Sequence, residues 1–269
     1  MFIDIHAHAA GAYGTAESIQ KTADKYQIEK IVLCTSPKNN HDLQGPPNMP
    51  FKQKPDSIYT MNRMNRLAYH HFIKDNGDGN QFVHQLKSEL PELVAAFLWA
   101  DPLDAAHMGN LENNIRRYQP KGIKLHQAWN PFKIDGAEFK TLVDMATSYK
   151  LPVFIHIYSK KEAAKLVRFI KENPYAVFII GHLTGTDLFA QSGALLKNVY
   201  FDTSSSKRIQ GSDIAHAIDA FGYDHIVFGT DTPYASIDDQ IHRIDHLNLP
   251  DNAKEHIYRL NAKNILSLD

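Results

Sequence analysis

Eight short runs rich in β-branched and aromatic residues recur along this chain, separated by longer stretches whose apolar residues fall at helical spacing. The runs are Phe2–His6, Lys30–Cys34, Leu93–Trp99, Gly122–His126, Val153–His156, Val177–Ile180, Val199–Asp202 and Ile226–Gly229. Between them lie helical patterns such as Ala16–Tyr26, Leu111–Tyr118, Phe139–Tyr149, Lys161–Glu172 and Asp238–His246. In Lys161–Glu172, the apolar Ala164, Val167, Phe169 and Ile170 share roughly one face, with lysines between them. Strand followed by helix, repeated, argues for parallel pairing, because a parallel pair needs a crossover and a helix supplies it. Over 269 residues this rhythm predicts an α/β fold, a single (β/α)8 TIM barrel occupying 1–269. An open doubly wound sheet is the alternative, but no Gly-x-Gly-x-x-Gly turn follows a strand.

One segment breaks the rhythm. After the second run, Pro37, Gly45, Pro46, Pro47, Pro50 and Pro55 preclude regular structure over 36–55. A helical pattern follows over roughly Ile58–Ile73, then a polar break at Asp75–Asn80 and a second helix reaching Leu90. The span 36–90 is therefore expected to be an irregular loop-plus-helix insertion after the second strand. Because it leaves the C-terminal end of a strand, it would overhang the barrel mouth as a lid or pocket wall.

Charge narrows the function classes. Lys plus Arg number 29 and Asp plus Glu 30, a formal net charge of −1. That balance gives no overall field to draw the chain to nucleic acid or anionic lipid. No apolar stretch approaches the roughly 20 residues needed to cross a bilayer. The first residues lack the basic segment of a secretory signal and lead directly into a strand. One cysteine, Cys34, excludes an intramolecular disulfide and fits a reducing compartment. At the end of the Ile31-Val-Leu run it fits a small buried residue better than a nucleophile. A cytoplasmic protein acting on a small molecule is the expectation. A homo-oligomer is compatible with everything above.

The strand ends carry the residues with chemistry. His6 and His8 stand one residue apart, so in an extended strand both imidazoles project to one face. The fourth strand ends Lys124-Leu-His126, the fifth at His156, the seventh at Asp202. His182 follows the sixth, and Gly229-Thr-Asp231 closes the eighth. In barrel enzymes these C-terminal ends converge on the active face. Imidazoles and carboxylates together suit zinc or a similar divalent ion.

In this order the residues resemble the amidohydrolase superfamily, most closely its amidohydrolase-related (amidohydrolase 2) branch of metal-dependent hydrolases and decarboxylases. Phe201-Asp-Thr-Ser, Gly229-Thr-Asp-Thr-Pro and Leu260-Asn-Ala-Lys-Asn-Ile-Leu are similar to segments of that branch. The resemblance implies one divalent cation, zinc first, with manganese or another divalent ion as alternatives. It implies His6, His8 and His156 as nitrogen ligands, and Asp231 as a carboxylate ligand or partner of the activated water. It further implies His182 as the acid/base residue. Lys124 stands where binuclear members carry a carboxylated, bridging lysine. It reads either as that bridge or as a buried cation with a carboxylate or anionic substrate for a partner. His126 reads as a substrate contact or a structural histidine, and Asp202 as a carboxylate that contacts a histidine or one that satisfies backbone groups in its loop.

The leading activity is hydrolysis of a small amide, lactone or ester by an activated water. Non-oxidative decarboxylation or hydration of an aromatic or unsaturated acid is the alternative on the same site. A TatD-type metal-dependent deoxyribonuclease would want a glutamate ligand near mid-barrel and a basic groove, where this chain offers Lys124 and His126.

Overall fold

The computed structural model describes residues 1–35, 62–63, 66, 79–192, 197–205 and 208–268. Its eight strands are β1 (Phe2–His8), β2 (Ile28–Cys34), β3 (Val94–Trp99), β4 (Gly122–His126), β5 (Val153–His156), β6 (Phe178–Ile180), β7 (Val199–Asp202) and β8 (Ile226–Val227). They form one sheet in chain order, every neighbouring pair parallel. The helices among the described residues are α1 (Ala16–Tyr26), α2 (Gly79–Glu89), α3 (Ala105–Tyr118), α4 (Ala137–Ser148), α5 (Lys160–Glu172), α6 (Thr186–Gln191), α7 (Gly211–Phe221), α8 (Ile237–Asp245), α9 (Asp251–Glu255) and α10 (Asn261–Leu266). This is the (β/α)8 barrel that the alternation predicts. Of the 36–90 insertion, only α2, Asn62, Arg63, Arg66 and Leu90 fall within the described residues. The expected irregular loop and most of the 58–73 helix lie outside them. Among the described residues no helix is long and apolar enough to cross a membrane.

Local chemistry sets the helix ends. Thr15 caps α1 by accepting the Ser18 N–H, while the Ser18 hydroxyl oxygen accepts the Thr15 N–H. Ser159 caps α5 in the same way, accepting the Glu162 N–H. Alternation along the strands then sorts side chains into two layers. Ile31, Leu33, Val94, Ile123, Leu125, Ile155 and Phe178 face the helices, whereas Val32, Ala95, Phe97, Phe154, Ile179 and Val227 fill the barrel. Ala262 and Leu266 of α10 join the inner layer. In the same helix, the Asn261 amide donates to the Tyr223 and Ile226 carbonyls at 2.8 and 2.7 Å. The last helix thus plugs the end of the barrel opposite the strand C-termini.

β1 departs from simple alternation. Asp4 pairs with Ile31 and Ala7 with Leu33, so three steps along β1 match two along β2. The extra residue is a β-bulge, which re-aims the side chains beyond it. Ile3 and Ile5 belong to the inner layer and Ala7 to the outer one. After the bulge His6 turns inward as well, against the Phe154 ring at 4.4 Å.

The barrel closes between β8 and β1 through an irregular seam. Ile5 N–H donates to the Phe228 carbonyl at 3.1 Å, Asp231 N–H to the His6 carbonyl at 2.7 Å, and His8 N–H to the Thr232 carbonyl at 2.8 Å. Phe228 N–H donates outward, to the Ile257 carbonyl at 3.0 Å. That carbonyl lies in a π-helical turn, His256–Leu260, whose widened pitch frees acceptors from the helix ladder. Asp4 ties the seam from the side. Its carboxylate accepts the Thr230 N–H (2.9 Å) and Thr230 hydroxyl (2.6 Å), and the Tyr13 hydroxyl at 3.3 Å.

Candidate metal centre

The inner face at the strand C-termini holds a cluster of buried imidazoles and carboxylates. His6 and His8 come from β1, His156 from β5, His182 from the turn after β6, Asp202 from β7 and Asp231 from the segment after β8. Two of these sit in the left-handed backbone region, His182 at φ 59° and Asp231 at φ 59°. Non-glycine residues adopt that region at a cost, and such positions concentrate at functional sites. Here the surroundings enforce them: Asp202 Oδ2 accepts the His182 N–H at 3.2 Å, and the His6 carbonyl accepts that of Asp231.

Hydrogen bonds at one ring nitrogen fix what the other can do. His6 Nδ1–H donates to Asp202 Oδ2 at 3.0 Å, and His8 Nδ1–H donates to the Thr35 carbonyl at 2.7 Å. His6 is left with its Nε2 lone pair, and the Nε2 atoms of both rings face Asp231 Oδ1, at 3.5 Å from His6 and 3.4 Å from His8. A charge-assisted hydrogen bond would be near 2.8 Å. Ligands about 2.1 Å from a tetrahedral cation lie about 3.4 Å from one another. Both separations are those of neighbouring ligands around an ion, so the donor chemistry of His6, His8 and Asp231 suits a divalent cation. His6, His182 and Asp231 form one trio of potential ligand atoms within 4.8 Å of one another; His6, His8 and Cys34 form a second.

His156 belongs to neither trio. The Asn62 amide donates to the Ile157 and Tyr158 carbonyls, so its oxygen accepts the His156 Nε2–H at 2.5 Å. The His156 Nδ1 lone pair is then turned to His182 Nε2, 3.0 Å away. On its far side, His182 Nδ1 meets Ser204 Oγ at 2.9 Å, and that hydroxyl lies 2.5 Å from Asp202 Oδ2 and 3.0 Å from His6 Nδ1. Lys124 is fully buried. Its ammonium donates to His6 Nε2 at 2.7 Å and lies 3.7 Å above the Phe154 ring. A cation on His6 has to displace that hydrogen bond. His126 is stacked between Trp129 (4.3 Å) and His156 (3.9 Å). Trp99 extends the stack behind it, and Tyr234 meets His8 edge-on at 5.0 Å. The result is one aromatic wall beside the imidazoles.

Burial, and then the Lys124 charge, keep His6 and His126 far below the usual histidine range; burial and then His126 do so for His156. Burial also lowers His182, against the pull of Asp231 and Asp202. Burial disfavours ionisation of Asp231, yet His6, the His8 hydrogen bond and His182 outweigh it and hold the carboxyl at about 2. Asp202 is raised by burial, with His182 and Ser204 opposing. His8 is the exception: burial lowers it, but Cys34 and the Asp231 carboxylate raise it to about 9. The cluster therefore presents neutral His6, His126, His156 and His182 and an ionised Asp231, with a proton on His8 that a metal has to displace.

Three contributors escaped the sequence reading: Ser204, Asn62 and the Asp4–Thr230 tie, whereas Cys34 is buried at the end of β2 as expected. Ser204 lies within the Phe201-Asp-Thr-Ser segment, so that motif held its signal. Asn62 lies in the irregular insertion, where no periodicity marks it.

A family model described as amidohydrolase matches residues 3–268. No curated protein sequence matches the chain. Among solved structures, 2,6-dihydroxybenzoate decarboxylase from Rhizobium is similar at 15% identity, covering 100% of this chain and 99% of that one, with a TM-score of 0.68. A dihydroxybenzoic acid decarboxylase from Polaromonas sp. JS666, with bound manganese and the inhibitor 2-nitroresorcinol, gives 16% identity, 99% and 97% coverage and 0.66. A probable 2-pyrone-4,6-dicarboxylic acid hydrolase from Acinetobacter baumannii, with citric acid bound, gives 14%, 99% and 99%, and 0.67. At these identities the likenesses establish the shared barrel.

Proposed function

This chain belongs to the amidohydrolase family, and from that premise we propose that it hydrolyses a small planar carbonyl compound, such as a lactone, ester or amide. His6, His8 and Asp231 would hold one divalent cation. When bound, the cation supplies Lewis-acid polarisation of the carbonyl and lowers the pKa of water. The observation that carries the hydrolytic reading is His182: a neutral imidazole beside an ionised carboxylate, in ligand range of both His6 and Asp231. Once its Nε2 is released from His156 Nδ1, this imidazole can take a proton from the attacking water and return it to the leaving group. His156 and Ser204 flank the His182 ring and orient it. A role for His156 as a ligand would require its Nδ1 to be released from His182. The wall of Trp129, His126 and Tyr234 suits a flat substrate face. Zinc and manganese both accept this donor set.

The same wall supports a second reading, decarboxylation of a planar aromatic acid, the reaction named for the Rhizobium and Polaromonas proteins. Incubating metal-loaded protein with a panel of lactones and hydroxybenzoates separates the two. Hydrolysis without carbon dioxide is expected, and carbon dioxide release from a hydroxybenzoate would overturn it. His182→Ala should keep its metal and lose roughly 10²–10⁴-fold in kcat. Full activity in that variant would remove His182 from the chemistry.

A further inference from the structure

The turn after β7 carries Ser204, whose hydroxyl is the meeting point of His182 Nδ1 (2.9 Å), Asp202 Oδ2 (2.5 Å) and His6 Nδ1 (3.0 Å). The next residue, Ser205, sits at φ 89°, a left-handed backbone that a non-glycine residue keeps only where its surroundings enforce it. Within the turn, the Ser205 carbonyl accepts the Arg208 and Ile209 N–H groups at 3.3 and 3.2 Å, both long for such bonds. The firmer restraint comes from outside. Arg243 of α8 donates from Nη1 to the Ile209 carbonyl at 2.5 Å and from Nη2 to the Thr203 carbonyl at 3.3 Å. Its Nε donates to the Asp239 carbonyl of its own helix at 3.3 Å. One planar guanidinium thus ties residues 203 and 209 to α8, with Ser204 and Ser205 between them. Burial brings Arg243 down to about 10, against Asp202, Asp239 and Asp213. It keeps its charge at neutral pH, and its bonds to the turn are charge-assisted.

We propose that Arg243 is a positioning residue: by clamping Thr203 and Ile209 it holds the Ser204 hydroxyl on His182 Nδ1 and so fixes the imidazole for proton transfer. The inference rests on the hydrolytic reading for what His182 does, but not for how the ring is held. The alternative that the clamp suppresses lies close by. The Ser204 carbonyl is 3.4 Å from the same Nδ1, so a small rotation of the turn would exchange hydroxyl for carbonyl. A hydroxyl both donates and accepts and can link the ring to Asp202; a carbonyl only accepts. Losing the clamp therefore detaches His182 from the carboxylate behind it.

Substitutions of Arg243 in the full chain test this. The ring nitrogen-15 resonances of His182, identified by their loss in His182→Ala, report its hydrogen bonding without any turnover. In Arg243→Ala they should shift, and kcat should fall about 10–100-fold with KM little changed. Added guanidinium ion should restore both. Arg243→Lys, a point donor that serves one carbonyl at a time, should lie between the two. A folded Arg243→Ala with a lowered Tm but unmoved His182 resonances and kcat would overturn the proposal, leaving Arg243 a tie between helix and turn. If Arg243→Ala does not fold, Arg243→Lys decides, and unmoved ring resonances there refute the clamp. Shifted resonances restored by guanidinium, in a protein whose unaltered form hydrolyses nothing, would uphold the clamp and overturn the hydrolytic reading alone.

Discussion

Gly229 shows how tightly individual residues are committed around the cluster. A Cβ there would lie 2.2 Å from Asp202 Oδ1 and 2.9 Å from His6 Cβ, so even alanine must push apart the carboxylate and the imidazole that it orients. Gly229→Ala should lower metal affinity by about 10–100-fold, the usual cost of losing such an orienting contact. Metal retention against a chelator would show it. Asp202→Asn makes the same prediction without steric strain, and unchanged retention in both would mean that Asp202 does not hold His6 for the metal. Lys124 acts in the opposite sense, because its ammonium occupies the His6 Nε2 lone pair. Lys124→Met, similar in length and uncharged, should bind the metal at least about tenfold more tightly. Weaker binding by direct titration would show that Lys124 supports the ion. The sequence placed Lys124 on the inner face of β4 and required a partner for it. It could not name His6 as that partner, 118 positions earlier, because only barrel closure brings them together.

At the scale of elements, most strand and helix positions follow from apolar spacing. β4, β5 and β7 begin and end where the runs of Gly122–His126, Val153–His156 and Val199–Asp202 predict. β1 extends two residues beyond its apolar run, to His8, because pairing with β2 continues through polar side chains. Its bulge has no sequence signature, since it arises from register against a neighbour. Helix α2 carries a pH effect that spacing also hides. His84 is stacked on Tyr118 at 4.1 Å. Burial, with the Lys87 and Arg117 charges, lowers its pKa from 6.5 to about 4. Between those values the unfolded chain holds the extra proton, so stability is lost as pH falls through this window. Replacing His84 by phenylalanine should remove about 2 kcal/mol of the stability difference between about pH 7 and pH 4.5. Denaturant titrations at the two pH values would measure it, and an unchanged difference would mean that His84 is not buried in its neutral form.

For the molecule as a whole, the barrel was legible because its rhythm repeats eight times, and the chemistry because its residues fall at strand ends. What stayed hidden lies at the seam, where segments from opposite ends of the described barrel meet. Asp4 and Thr230, 226 positions apart, share buried hydrogen bonds there. Asp4→Ala would strand the Tyr13 hydroxyl and leave the Thr230 N–H and hydroxyl only their bonds to the His6 carbonyl and Thr232 Oγ1, at about 3 kcal/mol in total. Thermal unfolding should shift down by roughly 5–10 °C; a shift within error would show that the seam is held elsewhere. This closure also sets the order of events when the barrel forms. Contacts this distant along the chain pay their loop entropy before they contribute anything. His8 and Asp231 therefore face each other only after the intervening strands have taken their places. During synthesis, residues beyond Asp231 must leave the ribosome before His8 and Asp231 can stand together, so capture of the proposed cation by both would follow closure of the barrel.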